Sequence, residues 1–236
     1  MAKAHTSWRV LPHGPIEKLS ERVWRVEGQL PKMPMKRVMT IAKRSDGGLV
    51  VHNAIALGES EMAQIEAWGP VVAIAVPNGY HRLDARVFHE RFPSARVLCP
   101  PGARKKVEEV VPVTSVYSDE PADAAVSFEV LDGTKGGEGA MIVKDAGGTT
   151  LVLNDLVFNM PHVGGFTGFV LKAVTASTGG PRISRIARWF IARDKPALKT
   201  HLEKLAGLPQ LQRAIVSHHQ VIEQPAGVLR DLAASL

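Results

Sequence analysis

The chain has 236 residues, 45 % hydrophobic and 22 % charged, a globular balance that excludes wholesale disorder. Its 29 Lys and Arg outnumber 23 Asp and Glu, and the resulting charge of +6 is spread along the sequence. A single cysteine, Cys99, excludes an internal disulfide framework and any Cys-x-x-Cys metal or redox motif.

Val23 to Glu27, Val38 to Lys43 and Gly48 to Asn53 read as strands, with a Pro- and Met-containing hairpin loop from Gly28 to Lys36 between the first two. Glu59 to Trp68 has helical spacing, and Val71 to Val76 is an apolar run typical of a strand buried on both faces. Helix and strand then alternate: Leu83 to Arg91, Ala95 to Cys99, Pro101 to Val110 and Thr114 to Tyr117. Ser127 to Leu131, Ala140 to Lys144 and Thr149 to Asn154 are strand candidates separated by Gly-rich turns. Asn159 to Gly180 reads as a Gly- and Phe-rich loop region. Helices follow at Pro181 to Arg193 and Pro196 to Ala206, a strand at Gln212 to Ser217, and a closing helix at Pro225 to Leu236. This order predicts helices packed over mixed sheets. No linker, repeat or low-complexity run interrupts it, so residues 1–236 are expected to form one domain. No stretch reaches the ~20 apolar residues of a membrane span. Met1 to Val10 is polar and mixed, and a cytoplasmic location is expected.

Several chemistry-bearing residues stand just past strands. His52 ends one, His81 follows the buried strand in Pro77-Asn-Gly-Tyr-His-Arg-Leu-Asp84, Asp155 closes another, and His218 and His219 follow the last. In α/β sheets the carboxyl ends of strands are where remote side chains converge on a ligand. Imidazoles with a carboxylate suit a divalent transition metal, or acid–base work without one. There is no Gly-x-Ser-x-Gly elbow and no phosphate-binding Gly-x-x-x-x-Gly-Lys loop.

The order of elements over about Val23 to Leu236 resembles the metallo-β-lactamase-fold superfamily. Within it, Pro77-Asn78-Gly-Tyr-His81, followed by Pro93-Ser-Ala95-Arg-Val97-Leu-Cys-Pro-Pro101-Gly102, resembles an uncharacterised branch. The resemblance implies a four-layer αββα sandwich of two mixed β-sheets flanked by helices. It also implies hydrolase-like chemistry. The superfamily's His-x-His-x-Asp-His zinc motif would fall on Asn78, Tyr80, Arg82 and Leu83, so none of its ligands is kept, and the His of a later Gly-His-Thr-like turn is absent near Gly133-Thr134-Lys135. Asp155 corresponds to the bridging carboxylate and His218 to the terminal His, while His52 stands where the superfamily usually has an Asp.

A catalytic metal generally needs three protein ligands. Asp155 and His218 make two, and His81, His52, Asp84, Glu138 or His162 could add a third. Two readings stay open. One is a hydrolase-like enzyme with at most one zinc, manganese or iron ion on His81, Asp155 and His218, the same three residues doing the catalysis. The other is a non-catalytic protein without metal that binds a small anion. Asn78, Tyr80, Arg82 and His52 are the expected ligand-binding residues, and Arg82 suits a carboxylate or phosphate. Met33 and Met35 in the first loop, and Phe158, Phe166 and Phe169 among Gly164, Gly165 and Gly168, are candidates to cover the pocket. Arg182, Arg185 and Arg188 would share one helical face, which reads as solvated. The expected partner is a small molecule, an anion in the second reading, with neither membrane nor nucleic acid. Which of His218 and His219 faces the site, and the oligomeric state, are not legible.

Overall fold

The structure is a computed structural model that describes residues 3–31, 33–121, 123–162, 164–165, 169 and 173–236. The first sheet runs in chain order: β1 (Glu17–Lys18), β2 (Val23–Leu30), β3 (Met33–Lys43), β4 (Leu49–His52), β5 (Val71–Ala75), β6 (Arg96–Cys99) and β7 (Ser115–Val116). Strands β1 to β4 pair antiparallel and β4 to β7 parallel. Helices α1 (Glu59–Trp68), α2 (Ala85–Arg91) and α3 (Arg104–Val107) lie in its crossovers. Further strands are β8 (Val126–Val130), β9 (Gly139–Asp145), β10 (Gly148–Val152), β11 (Phe158–Met160), β12 (Gly180–Arg182), β13 (Leu211–Ile215) and β14 (Ile222–Glu223). The second sheet has the order β14-β13-β10-β9-β8, with only β10 and β13 parallel, and β11 pairs with β12 apart from it. Helices α4 (Lys195–Ala206) and α5 (Ala226–Ala234) cover its outer face.

Pleating sorts the apolar side chains into three layers of core, because successive residues of a strand point to opposite faces. Met39, Ile41, Leu49, Val51 and Ile74 pack outward on Met62 and Ile65 of α1 and Phe88 of α2. Leu151, Leu153 and Ala214 pack outward on Leu198, Leu202 and Leu205 of α4 and Leu229 of α5. The intervening positions Val38, Ala42, Val50, Ala73 and Ala75 meet Met141, Val143, Val152 and Ile215 between the two sheets. The expected four-layer αββα sandwich of two mixed sheets is therefore the architecture. Among the described residues no helix is long and apolar enough to cross a membrane.

Four local expectations need correction. The loop expected from Gly28 to Lys36 is mostly strand: β2 and β3 pair as far as Leu30 with Met33, because cross-strand pairing outweighs the Pro and Met composition. The strand expected from Thr114 to Tyr117 covers only Ser115–Val116, and the helix expected from Pro101 is one short 3₁₀ turn plus α3. The helix expected from Pro181 to Arg193 begins only after Ser184. Gly179 and Gly180 adopt φ of +94° and +98°, and Pro181 lies in β12. Ser184 Oγ then accepts from Ala187 N at 3.1 Å, and a wide turn over Ala187–Ile191 closes with an Ala192 N to Ala187 O bond.

The inter-sheet layer has no slack around Tyr117. A Cβ on Gly139 would lie 2.5 Å from Tyr117 Cδ2 and 2.9 Å from Glu129 O, and the ring is fully buried. Gly139→Ala should therefore lower unfolding stability by about 1–3 kcal/mol, the usual cost of overpacking, as read by urea denaturation.

Candidate functional site

Four strand ends deliver the site. Strands β4 and β5 are parallel neighbours in the first sheet, and β10 and β13 in the second. The sheets are joined at this edge, where Val38 N donates to Ser217 O at 2.9 Å. Past β5 comes His81, past β10 Asp155, and past β13 His218. Their Nε2, carboxylate and Nε2 ligand atoms all lie within 4.8 Å of one another. His81 Nε2 is 2.8 Å and His218 Nε2 is 3.0 Å from the same oxygen, Asp155 Oδ1.

The far side of each imidazole fixes where its proton sits. His218 Nδ1 is 2.8 Å from the Lys36 carbonyl, which only accepts, so Nδ1 carries hydrogen. His81 Nδ1 is 3.1 Å from Asn53 Oδ1. The Asn53 amide cannot be turned round, because its Nδ2 donates to Val38 O at 2.8 Å. Asn53 is itself held at φ +57°, a left-handed conformation that asparagine tolerates. His81 therefore also carries hydrogen on Nδ1. Each ring, when neutral, therefore aims its Nε2 lone pair at the same carboxylate oxygen, and only a ring protonated on both nitrogens can donate to it.

Carboxyl groups here differ sharply. Burial raises the proton affinity of Asp155, but when the rings are protonated on both nitrogens, positive charge at His81 and Nε2–H hydrogen bonds from both rings outweigh it and hold this carboxyl well below the usual range. Asn78 Nδ2 donates to Asp155 Oδ2 at 2.8 Å and to Glu138 Oε1 at 2.7 Å, while its Oδ1 accepts from Tyr80 N and His81 N. Burial, and then the charge of Asp155, push the Glu138 carboxyl well above its ordinary value and favour its neutral form. Its Oε2 is buried with no partner. The ring of Phe158 stacks on His218 at 5.1 Å and 5°.

No family model and no curated protein matches the sequence. Solved structures match over nearly its whole length. The DIM-1 metallo-β-lactamase exposed to ceftazidime is 12 % identical, with a TM-score of 0.63 over 96 % of this chain and 99 % of that one. A metallo-β-lactamase from Erythrobacter litoralis is 14 % identical, with a TM-score of 0.62 over 94 % and 96 %. The mono-zinc form of FIM-1 from Pseudomonas aeruginosa is 13 % identical, with a TM-score of 0.58 over 96 % of each chain. The chain has the metallo-β-lactamase fold.

On this metallo-β-lactamase scaffold the cluster forms the floor of a cavity of about 780 Å³. Leu30, Pro31, Met33 and Met35 of the β2–β3 hairpin form one wall and Ile186, Phe190 and Ile191 the other. Of the expected ligand-binding residues, Asn78 and Tyr80 line it. Tyr80 is exposed, with the Lys106 ammonium 4.3 Å from its ring centre. Arg82 does not line it: its guanidinium turns to Glu109 at 2.7 Å and to the Lys106 carbonyl. The lining residues with permanent cations are Arg37 and Lys106, which sequence reasoning missed. His52 is absent from the lining as well. It follows Val50 and Val51 in β4, so the pleat turns it between the sheets rather than toward the cavity.

The other third-ligand candidates are occupied elsewhere. Asp84 is fully buried and accepts from Arg37 at 2.6 Å, His5 at 2.6 Å and Ala56 N at 3.1 Å. His162 is exposed and bonds Thr178 Oγ1 at 3.0 Å. His219 lies in a left-handed turn at φ +68°, and its Nε2 accepts from Lys36 N, so His218 is the one facing the cavity. Phe169 is exposed and does not line the cavity, while Phe166 and Gly168 lie outside the described residues. Cys99 is buried, and burial pushes its thiol up to about 11, too high for a nucleophile at neutral pH.

Asn53 is the residue that sequence reading overlooked. The signal was its place one past His52: the strand's last inward position is taken by His52, so the next residue begins the loop that reaches the site.

His52 makes a pH prediction. Burial, helped by His81, pushes it down to about 3 from 6.5. As pH falls below 6.5 the unfolded chain takes up this proton and the folded chain does not, so stability present above 6.5 is lost toward acid. Between pH 7 and pH 5 the loss from this group is about 2 kcal/mol. In His52→Gln, the difference in urea-unfolding stability between these two pH values should shrink by about that amount.

Proposed function

We propose that the chain is a hydrolase-like enzyme acting on a small molecule, with one divalent metal ion held by His81, Asp155 and His218. The observation that supports this is the direction of the lone pairs. Two unprotonated Nε2 atoms facing a carboxylate oxygen repel it unless each approach receives a proton or both share a cation. One divalent ion answers both with a single guest. A metal-ligating histidine characteristically donates its other nitrogen to a carbonyl or carboxylate, as His81 and His218 do.

Two imidazoles and one carboxylate form a donor set suited to zinc, manganese or iron(II). When bound, such an ion would lower the pKa of a coordinated water toward about 7 and polarise a substrate oxygen. The chain's own residues do the rest. Asn53 and the Lys36 carbonyl hold the two rings in the ligating tautomer. Asn78 orients the Asp155 carboxylate through Oδ2. In the neutral form that burial favours, Glu138 can donate hydrogen from its unpartnered oxygen to a bound molecule. The apolar walls exclude water and strengthen every polar contact at the floor. The alternative of a metal-free anion binder leaned on Arg82 entering the cavity, and it loses that support with Arg82 bound to Glu109.

Protein made without a histidine tag, stripped and titrated with Zn²⁺, Mn²⁺ or Fe²⁺, should bind about one equivalent. Asp155→Asn and His218→Ala should weaken that binding by two orders of magnitude or more, to about the level of adventitious ions. Asn53→Ala, which removes no ligand, should weaken it by about 10–100-fold. Hydrolysis of a panel of esters, lactones and phosphoesters should follow metal occupancy. Failure of all three metals to bind overturns the reading.

A further inference from the structure

A second cleft, of about 360 Å³, is lined by Arg182, Arg185 and Arg188 with Ala176 and Ile183. The three arginines do not share the long helix that their spacing suggested. Arg182 ends β12, while Arg185 and Arg188 sit on the short turn that follows. They still surround one space.

Each guanidinium is held by acceptors that fix it without neutralising it. Arg182 Nη2 donates to Gly179 O at 2.7 Å. Arg185 Nη1 donates to Ala173 O at 2.7 Å and to Val174 O at 3.2 Å. Arg188 Nε donates to Ile183 O at 3.3 Å, and its terminal nitrogens donate to the carbonyl and hydroxyl oxygens of Ser235. Every Asp and Glu of the chain lies among the described residues, and none forms an ion pair with these three. By contrast Arg25, Arg37, Arg82, Arg91 and Arg96 each pair with an acid. Arg182 Nε is buried and has no partner. Three uncompensated cations around one cleft repel one another, and each keeps free N–H donors in the planar fork that matches phosphate oxygens.

We propose that this cleft binds a phosphate-type dianion, free or carried on a small soluble molecule. Its place gives it a consequence for the main cavity. Thr175, Ser177, Ser184, Ile186 and Phe190 line that cavity, and the residues between them line the arginine cleft. One segment is thus a wall with two faces, and an anion on the outer face would fix the inner one.

The test is calorimetric titration with pyrophosphate and with inorganic phosphate at constant ionic strength, against sodium chloride as control. Saturable binding is expected, weakened about tenfold or more by Arg182→Gln and by Arg185→Gln. It should be unchanged in Asp155→Asn, which separates this site from an anion held at the proposed metal. On the unmodified protein, pyrophosphate should protect Arg182 and Arg185 from phenylglyoxal, as read by mass spectrometry, whether or not the variants fold. Absence of saturable binding, binding indifferent to both arginine substitutions, or absence of protection would each overturn the proposal. So would attachment to phosphatidylglycerol vesicles that pyrophosphate does not compete for.

Discussion

A carbonyl oxygen accepts hydrogen and cannot offer it, and two such oxygens govern the chemistry at the floor of the cavity. With Lys36 O beneath His218 and Asn53 Oδ1 beneath His81, both rings carry their hydrogen on the side away from Asp155. The Asn53 side chain can do this because Val38 O has claimed its amide nitrogen. The direction of the two Nε2 electron pairs is therefore set by two main-chain carbonyls of β3, Lys36 O directly and Val38 O through Asn53. A substitution among His81, Asp155 and His218 would remove a member of the cluster, but a slip of the β2–β3 hairpin would turn the rings away without changing one of them.

That dependence explains why the hairpin is strand along nearly its whole length. A flexible loop from Gly28 to Lys36 would leave the Lys36 carbonyl free to wander. Pairing across Gly28–Arg37 and Gln29–Lys36 holds it instead. Bonds from Arg25 to His219 O and from Lys36 N to His219 Nε2 stitch the same hairpin to the turn after β13. Left-handed φ at Asn53 and His219 is the local strain accepted where two strands hand over to the site.

Much of this was readable in advance, and for a definite reason. Apolar alternation and the run Val71 to Val76 announce strands directly, and parallel strands bring their carboxyl ends to one edge; His81, Asp155 and His218 were legible as a set because each follows such a strand. What one sequence does not carry is direction. His52 and His81 look alike as residues at strand ends, yet the pleat puts one between the sheets and the other in the cavity. Arg82, next to His81, faces a surface glutamate. Asn53, Lys36 O and Arg37 act through long-range contacts, which leave no local mark. The arginine triplet misled by spacing: its period of three fits a helix, but the Gly179-Gly180-Pro181 backbone makes a strand of its first member.

The two carboxyl groups at the floor show how one sheet edge can hold opposite charge states. Asp155 is drawn to the ionised form by the imidazoles in front of it, and its charge then helps keep Glu138 protonated behind it. Asn78 stands between, donating one N–H to each. Had both been ionised, two negative charges would face each other across the Asn78 amide, with Asn154 Nδ2 the further side-chain donor to Glu138, and desolvation would oppose the fold. With one neutral, the floor presents a single carboxylate and a separate hydrogen donor beside it. Pairs of titratable groups pushed apart in this way are how a site obtains an acid and a base from the same residue type. Here the separation arises from the burial of Glu138 on one side and from the charge and hydrogen bonds of the two rings at Asp155 on the other.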